Sequence, residues 1–278
     1  MPRAIAAALT PLREGGAALD LDAFEPYLGY LRDGGADGIL ALGTTGEGML
    51  LSVEERKAAL ERFAAGPLPV IAHCGAQSTA ATVELCTHAA GLGIEGVAVI
   101  APPYFRLGAD ELLAHFAAAA RACAPTPFYV YELEAASGYA IPPAVVERLR
   151  GVVENVVGMK VSDTPFAKVA EYLFPGLDVF IGAEALIGEG LAAGAAGAVS
   201  GLASAFPDVV VAAVRSGDSR AAGELRAQVE RFPRHAALKE TVRARGVPMT
   251  AAVRPPLRGL TGAERSELLT LVDASRRF

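Results

Sequence analysis

The sequence predicts an α/β protein, a (β/α)8 TIM barrel with a C-terminal helical extension. Short apolar runs alternate with longer helical patterns, which is typical of parallel βαβ units. Eight such pairs fit into about 215 residues, as a closed barrel requires. The apolar runs are near-continuous, as expected for strands buried on both faces. We therefore expect residues 1–215 to form the barrel and residues 216–278 to form a helical extension of the same domain.

The eight expected strands are short runs such as "GILAL" and "VAVI". They are Ala4–Leu9, Gly38–Leu42, Pro69–His73, Gly96–Ile100, Pro127–Tyr131, Val156–Val161, Val179–Ile181 and Ala196–Ser200. Each is followed by a helical pattern: Leu21–Arg32, Val53–Phe63, Ala80–Ala90, Asp110–Cys123, Pro142–Leu149, Pro165–Leu173, Ala185–Ala193 and Pro207–Val214. The second helix opens with a capping box, in which Ser52 precedes Glu55 by three residues. Three further helical stretches follow: "SRAAGELRAQVERF", "HAALKETVRARG" and "GAERSELLTLVDASRRF".

A doubly wound open sheet is the alternative architecture. It requires a Gly-x-Gly-x-x-Gly motif after the first strand, where it binds a dinucleotide. Here the first strand is followed by "TPLREGG", which does not fit that motif. The closed barrel is therefore the favoured fold.

Composition excludes several classes of protein. A hydrophobic content of 52% with 20% charged residues indicates a compact, soluble protein rather than a disordered one. The net charge of −6 argues against nucleic acid or an anionic membrane as a partner. The N-terminus is apolar but is interrupted at Pro11, so we expect no signal peptide. No apolar run reaches the roughly 18 residues of a membrane span.

Cysteine and histidine usage argues against disulfides and metal sites. Cys74, Cys86 and Cys123 are an odd number of cysteines with no Cys-x-x-Cys pair, which predicts buried free thiols and a reducing, cytoplasmic location. The four histidines are scattered without metal-ligand spacing, so we expect no metal.

The catalytic face of such a barrel is formed by the carboxyl ends of its strands. Polar residues follow several of the predicted strands. They are the "GTTGEG" loop from Gly43 to Gly48, "PPYFR" with Tyr104, Tyr131 at the tip of strand 5, Lys160 near the end of strand 6, and "SGLAS" after strand 8. We expect these residues to converge on one mouth of the barrel.

Lys160 is the strongest catalytic candidate. The chain has only four lysines against 21 arginines, and Lys160 alone of the four follows an apolar strand. Desolvation favours the free amine, which attacks a carbonyl to form a Schiff base. Tyr131 offers a phenol for proton transfer, and the glycines of "GTTGEG" let backbone N–H groups surround a small carboxylate. A strand-end lysine can equally pair with a carboxylate, and Asp163 is close in sequence.

These motifs resemble the dihydrodipicolinate synthase / N-acetylneuraminate lyase family of class I aldolase barrels. The resemblance extends from "ALTP" through "GTTGEG", "APPYF", "YVYELEAASG", "GMKVSD" and "GAVSGLAS" to "VRPPLRGLT". It implies a homo-oligomer, a dimer or tetramer, that acts on pyruvate or a 2-keto acid and an aldehyde without a cofactor. It implies that Lys160 forms the imine, Tyr131 transfers protons, Thr44 and Tyr104 relay them, Thr45 binds the carboxylate and Val199 contacts the keto acid through its backbone.

The departures from the family pattern bear on the substrate. Tyr131 is followed by Glu132-Leu133-Glu134 rather than Asn-x-Pro, and Ala136 stands where synthases usually carry an arginine for a second carboxylate. A missing charged clamp costs on the order of 2–5 kcal/mol of affinity. This favours a 2-keto-3-deoxy sugar acid, with Glu132 or Glu134 accepting hydrogen bonds from its hydroxyls. Either glutamate could equally be a solvated residue at the rim of the barrel.

Three alternatives remain open at this point. The first is 4-hydroxy-tetrahydrodipicolinate synthase, condensing pyruvate with aspartate semialdehyde, with Arg106 or another arginine replacing the clamp. The second is a dehydratase that uses the same imine. The third is a non-catalytic binding or regulatory barrel that has kept the fold.

Overall fold

A computed structural model describes residues 1–275. Its eight parallel strands close into one barrel in sequence order, with β8 pairing with β1. The strands are β1 Arg3–Ala7, β2 Gly38–Ala41, β3 Val70–His73, β4 Gly96–Ile100, β5 Phe128–Glu132, β6 Val156–Val161, β7 Asp178–Ile181 and β8 Gly197–Ser200. The predicted (β/α)8 barrel and its eight strands are confirmed.

Helices follow the strands as predicted, with shifts of a few residues at their ends. They are α1 Phe24–Asp33, α2 Val53–Ala64, α3 Thr79–Ala90, α4 Ala109–Cys123, α5 Glu134–Ser137, α6 Pro143–Arg150, α7 Phe166–Ala170, α8 Ile187–Ala192, α9 Pro207–Ser216, α10 Arg220–Val229, α11 Arg234–Ala244 and α12 Gly262–Ser275. The short α5 was not expected. The capping box of Ser52 and Glu55 is present. Residues 276–278 of the last predicted helix lie outside the described residues.

Two apolar layers build the barrel. Side chains alternate along each strand, so one set faces the barrel axis and the other faces the helices. The axial set is a small cluster of buried side chains that fills the barrel interior: Ile5, Ala7, Leu40, Ile71, Ala98, Tyr129, Phe180 and Val199. The outer set belongs to the large core between strands and helices. The packed axis leaves the carboxyl ends of the strands as the place for a cavity.

Cys74, Cys86 and Cys123 are buried free thiols, as predicted. Within residues 1–275, no helix is long and apolar enough to cross a membrane.

A buried ion pair fastens helix α11 to the loop after β2. Lys239 Nζ lies 2.5 Å from Glu47 Oε1, and both side chains are 0% exposed. Lys239 also donates to Ala252 O at 2.7 Å, and Glu47 Oε2 accepts from Arg254 N at 2.6 Å. Burial lowers the pKa of Lys239, an effect that the Glu47 carboxylate opposes. The C-terminal helices are thereby joined to the carboxyl-end face of the barrel.

We expect Lys239→Met to lower the free energy of unfolding by about 3–5 kcal/mol, because it leaves the Glu47 charge buried without its cation. Urea unfolding at pH 7 measures this change. The matched control is Lys168→Met, which removes an exposed pair with Glu134 at 2.5 Å and should cost less than about 1 kcal/mol. Equal costs for the two variants would contradict the structural role of the buried pair.

Candidate active site

Strand register brings Lys160 and Tyr131 together. The two residues are directly paired across β5 and β6, and both side chains face the barrel axis. Lys160 Nζ lies 4.0 Å from the centroid of the Tyr131 ring. Lys160 is 8% exposed and Tyr131 is 1% exposed. No carboxylate among the described residues forms an ion pair with Lys160, and Asp163 instead accepts from Glu134 N at 3.0 Å. The amine is therefore held against an aromatic face at the edge of a cavity.

The Tyr131 phenol is set up for proton transfer. Its hydroxyl lies 3.2 Å from Thr44 Oγ1. Burial opposes ionisation of the phenol, but the charge of Lys160 and hydrogen bonds from Thr44, Lys160 and Ser162 outweigh it. Together they lower the pKa of Tyr131 below its ordinary value. The phenol therefore gives up a proton more readily than an isolated tyrosine does.

The "GTTGEG" loop holds its two threonines by close backbone packing. A Cβ on Gly48 would lie 1.8 Å from Leu42 O, so this position requires glycine. Gly48 N donates to Gly43 O at 3.2 Å and closes the loop. Glu47 takes a positive φ of 56°, a conformation that the buried pair with Lys239 stabilises. Thr45, the third residue of this loop, is buried.

Helix α11 supports the same loop from the other side. His235 Nε2 lies 2.9 Å from Thr44 O. Burial lowers the pKa of His235, so its ring is neutral at pH 7. The backbone of Thr44 is thereby fixed while its hydroxyl faces Tyr131.

Two cavities meet at Thr44. The larger, about 300 Å³, contains the proposed reacting groups. Its lining is Thr44, Thr45, Tyr131, Leu133, Lys160, Ser162, Thr164, Gly182, Ala183, Glu184, Ala185, Gly201, Gly223, Arg226 and Arg234. The smaller, about 190 Å³, is mostly apolar and includes His73, His235 and Ala136. His73 packs edge-on against Tyr131 with ring centroids 5.8 Å apart, and burial lowers its pKa to about 3.

An ionic network shares the lining of the larger cavity with Lys160. Glu184 is buried and accepts from Ser200 Oγ at 2.7 Å and from Leu202 N at 3.0 Å. Arg226 Nη1 lies 3.1 Å from Glu184 Oε2. Arg234 lines the same cavity from the first turn of α11.

Tyr104 and Val199 are absent from the described lining of the Lys160 cavity. Tyr104 is 85% exposed in the loop after β4, where its ring packs edge-on against Phe105. Val199 belongs to the packed axial layer below the cavity. Arg106, the possible substitute clamp, is exposed in the same loop as Tyr104, and the described lining of the Lys160 cavity contains Arg226 and Arg234 instead.

Glu132 is not placed to bind substrate, and the expectation that its carboxylate meets substrate hydroxyls is wrong. Strand β5 continues one residue beyond Tyr131, so the next side chain points away from the axis. Glu132 is 0% exposed, and its Oε2 accepts from Ile141 N at 2.8 Å. The other suggestion, a solvated rim residue, is excluded by the same burial. Glu134 is partly exposed and pairs with Lys168.

Glu132 instead forms a buried pair of acids with Asp163 behind the site. Burial raises its pKa to about 8, against the hydrogen bond from Ile141 N, and the carboxylates of Asp163 and Glu134 raise it further. Glu132 is therefore mostly protonated at pH 7. The pair joins the ends of β5 and β6, directly behind Tyr131 and Lys160.

Several cavity residues were missed from the sequence. Ser162 and Glu184 follow strands β6 and β7 and could have been found by the same strand-end rule as Lys160. Arg226 and Arg234 lie in the C-terminal helices, where no local pattern separates them from surface arginines. Residues 1–275 contain no cluster of three or more His, Cys, Asp or Glu placed to hold a metal ion.

A family model described as "Dihydrodipicolinate synthetase family" matches residues 1–275. The chain belongs to this family. The 4-hydroxy-tetrahydrodipicolinate synthase of Thermus thermophilus is 34% identical over 78% of this chain and 75% of that protein. A solved N-acetylneuraminate lyase from Proteus mirabilis superimposes with a TM-score of 0.89 at 29% identity, over 100% of this chain and 99% of that chain.

A second solved structure is that of YagE, a prophage protein of this family from E. coli K12, in complex with pyruvate. It superimposes with a TM-score of 0.90 at 26% identity, over 99% of this chain and 98% of that chain. Members of the dihydrodipicolinate synthetase family are lyases of the aldolase type, and this protein is one of them. Membership of this family argues against the alternative of a non-catalytic barrel.

We expect the raised pKa of Glu132 to make stability depend on pH. The folded protein holds this proton more tightly than the unfolded chain. The protonated carboxyl of Glu132 therefore contributes fully to the free energy of unfolding below about pH 4.5, and this contribution is lost as the pH rises to about 8. Glu132→Gln keeps the acceptor for Ile141 N but cannot ionise. The free energy of unfolding of wild type relative to this variant should fall by roughly 2–4 kcal/mol between pH 4.5 and 8. Urea titrations at intervals of one pH unit measure it, and a constant difference would contradict a protonated Glu132.

Proposed function

We propose that this protein is a class I aldolase that joins pyruvate to an aldehyde, or cleaves the resulting 2-keto acid, through an imine on Lys160. The observation that carries the proposal is Lys160 Nζ, held 4.0 Å from the Tyr131 ring in a cavity with the Thr44 hydroxyl. Pyruvate in the related E. coli structure supports a keto acid as the substrate.

The proposed steps use groups already in place. The Lys160 amine attacks C2 of pyruvate, and the carbinolamine loses water to give a protonated imine. Tyr131, left as a phenolate after giving its proton to the departing water, takes a proton from C3 to give an enamine, whose carbon attacks the aldehyde carbonyl. The aldehyde oxygen takes a proton from the Tyr131 phenol, which Thr44 relays. Water then hydrolyses the imine, which releases the product and the free Lys160 amine.

The "GTTGEG" loop is the proposed carboxylate site. Thr45 is buried beside the cavity, and the loop supplies backbone N–H groups from Gly43 onward, an arrangement suited to a small anion. Val199 contributes through its backbone, since its side chain belongs to the packed axial layer. No metal or organic cofactor enters the proposed reaction.

The proposed substrate is a 2-keto-3-deoxy sugar acid. Ala136, where a clamping arginine would bind the carboxylate of aspartate semialdehyde, is exposed and lines the smaller cavity. The Lys160 cavity extends instead towards Glu184 and the C-terminal helices. The alternative is 4-hydroxy-tetrahydrodipicolinate synthase, which the Thermus relative represents, and a dehydratase acting through the same imine is a further variant.

A homo-oligomer, a dimer or tetramer, completes the proposal. Tyr104 and Phe105 are 85% and 68% exposed, and Met49 and Leu50 at the rim of the smaller cavity are 40% and 36% exposed. Such exposed apolar side chains favour contact with a second subunit. Tyr104 would then extend the proton relay of the neighbouring site through Thr44.

We expect pyruvate and borohydride to label Lys160 irreversibly, because hydride reduces the imine to a stable secondary amine. Peptide mass spectrometry locates the adduct. Lys160→Arg should fold normally and lose both the adduct and turnover, since a guanidinium stays protonated and cannot attack. Lys57→Arg, at an exposed ion pair with Glu84, is the matched control and should keep both. Labelling at another lysine would refute the assignment.

The wild-type enzyme should prefer glyceraldehyde to aspartate semialdehyde as the partner of pyruvate, by about a hundredfold in kcat/KM. This figure corresponds to the loss of one charge-assisted contact worth roughly 2–3 kcal/mol. Steady-state kinetics on one preparation measures both aldehydes. A tenfold or greater preference for aspartate semialdehyde would replace the sugar-acid proposal by the synthase.

A further inference from the structure

The Lys160 cavity has more positive than negative charge on its walls. Of the charged residues among its described lining, Lys160, Arg226 and Arg234 are basic and Glu184 alone is acidic. Charges at the wall of a partly enclosed site are stable when opposite charges meet them. The carboxylate of pyruvate would offset one of the two excess positive charges of this lining, and the other faces only Glu230, which lies outside the described lining.

Arg226 is largely committed to protein partners. Besides its pair with Glu184, its Nε donates to Glu230 Oε1 at 2.6 Å. Its Nη1 and Thr45 Oγ1 lie 3.3 Å and 3.0 Å from the point that a Cβ on Gly201 would occupy. The guanidinium therefore reaches the cavity through the space that this glycine leaves open, beside the proposed carboxylate loop.

Arg234 is the less committed of the two guanidiniums. Its one described ion pair is a long contact of 3.4 Å to Glu230, which Arg226 already engages. Its Nε is buried and has no hydrogen-bond partner among the described residues. It also lies in the first turn of α11, which contains no acidic residue. A positive charge at the N-terminus of a helix interacts unfavourably with the helix dipole. Helix stability therefore does not explain its position, whereas an anion in the cavity would.

We propose that Arg234, supported by Arg226, binds a negatively charged group at the far end of the aldehyde, so that the preferred partner of pyruvate is an anionic aldehyde. This inference rests on the proposed function, since it places the aldehyde in the Lys160 cavity. Guanidinium groups bind phosphate and carboxylate through paired N–H donors. Aspartate semialdehyde is a poor fit because its ammonium group would approach the same two guanidiniums.

A set of four aldehydes separates charge from chemical class. Glyceraldehyde is neutral, glyceraldehyde 3-phosphate carries a phosphate, and succinic and aspartate semialdehydes differ only by the ammonium group. Wild type should prefer glyceraldehyde 3-phosphate to glyceraldehyde, and succinic to aspartate semialdehyde, by roughly 30-fold each in kcat/KM. The higher kcat/KM of glyceraldehyde 3-phosphate or succinic semialdehyde, compared directly with each other, identifies phosphate or carboxylate as the natural group.

Arg234→Gln should lower kcat/KM for the anionic aldehydes by roughly 30-fold and leave glyceraldehyde within about threefold of wild type. Arg234→Lys, which keeps the charge, should recover part of the lost kcat/KM. The midpoints of thermal unfolding of both variants show whether they fold, and the lysine variant provides the test if the glutamine variant is unstable. Arg231→Gln, at an exposed pair with Glu267, is the matched control and should leave every ratio unchanged. Equal losses for charged and neutral aldehydes, or no loss, would overturn the inference.

Borohydride trapping of pyruvate separates this inference from the proposed function. Arg234→Gln should still be labelled at Lys160, because the keto acid is bound by the "GTTGEG" loop. If wild type is not labelled, the proposed function itself fails. If wild type is labelled but shows no preference for anionic aldehydes, the aldolase stands and the role of Arg234 is wrong. Loss of labelling in Arg234→Gln would show that this arginine acts on the keto acid, which also overturns the inference.

Discussion

The contact between Lys160 and Tyr131 is the constraint on which the rest of the site depends. It is set by the pairing of β5 with β6, in which the two residues are direct partners. A shift of one residue in either strand would turn one side chain towards the helices. Closure of the barrel and its packed axial layer hold that register, so the core is also what positions the amine against the phenol.

The C-terminal helices complete the site as well as cover it. Helix α11 provides three attachments in sequence: Arg234 at the cavity wall, His235 on Thr44 O, and Lys239 in the buried pair with Glu47. Because His235 and Lys239 are four residues apart, they lie on one face of the helix and contact the loop after β2 at Thr44 and Glu47, while the neighbouring Arg234 lines the cavity. A change in the position of α11 would therefore move the carboxylate loop, the proton relay and the cationic wall together.

Most of the fold and part of the site follow from the sequence. The strands were predictable because short, near-continuous apolar runs are typical of strands buried on both faces. Lys160 stood out because lysine is rare in this chain. Glu132 was misplaced because β5 extends one residue further than expected, which changes the face that its side chain occupies. Arg226 and Arg234 were not predictable, since their approach to the cavity depends on how α10 and α11 pack on the barrel.

The most direct test of the central claim is a crystal structure of the protein soaked with pyruvate. The account predicts continuous electron density between Lys160 Nζ and C2 of pyruvate, with the carboxylate against Thr44 and Thr45 and the Tyr131 hydroxyl facing the reacting carbons. Pyruvate bound away from Lys160 in a catalytically active crystal, or joined to another residue, would contradict it.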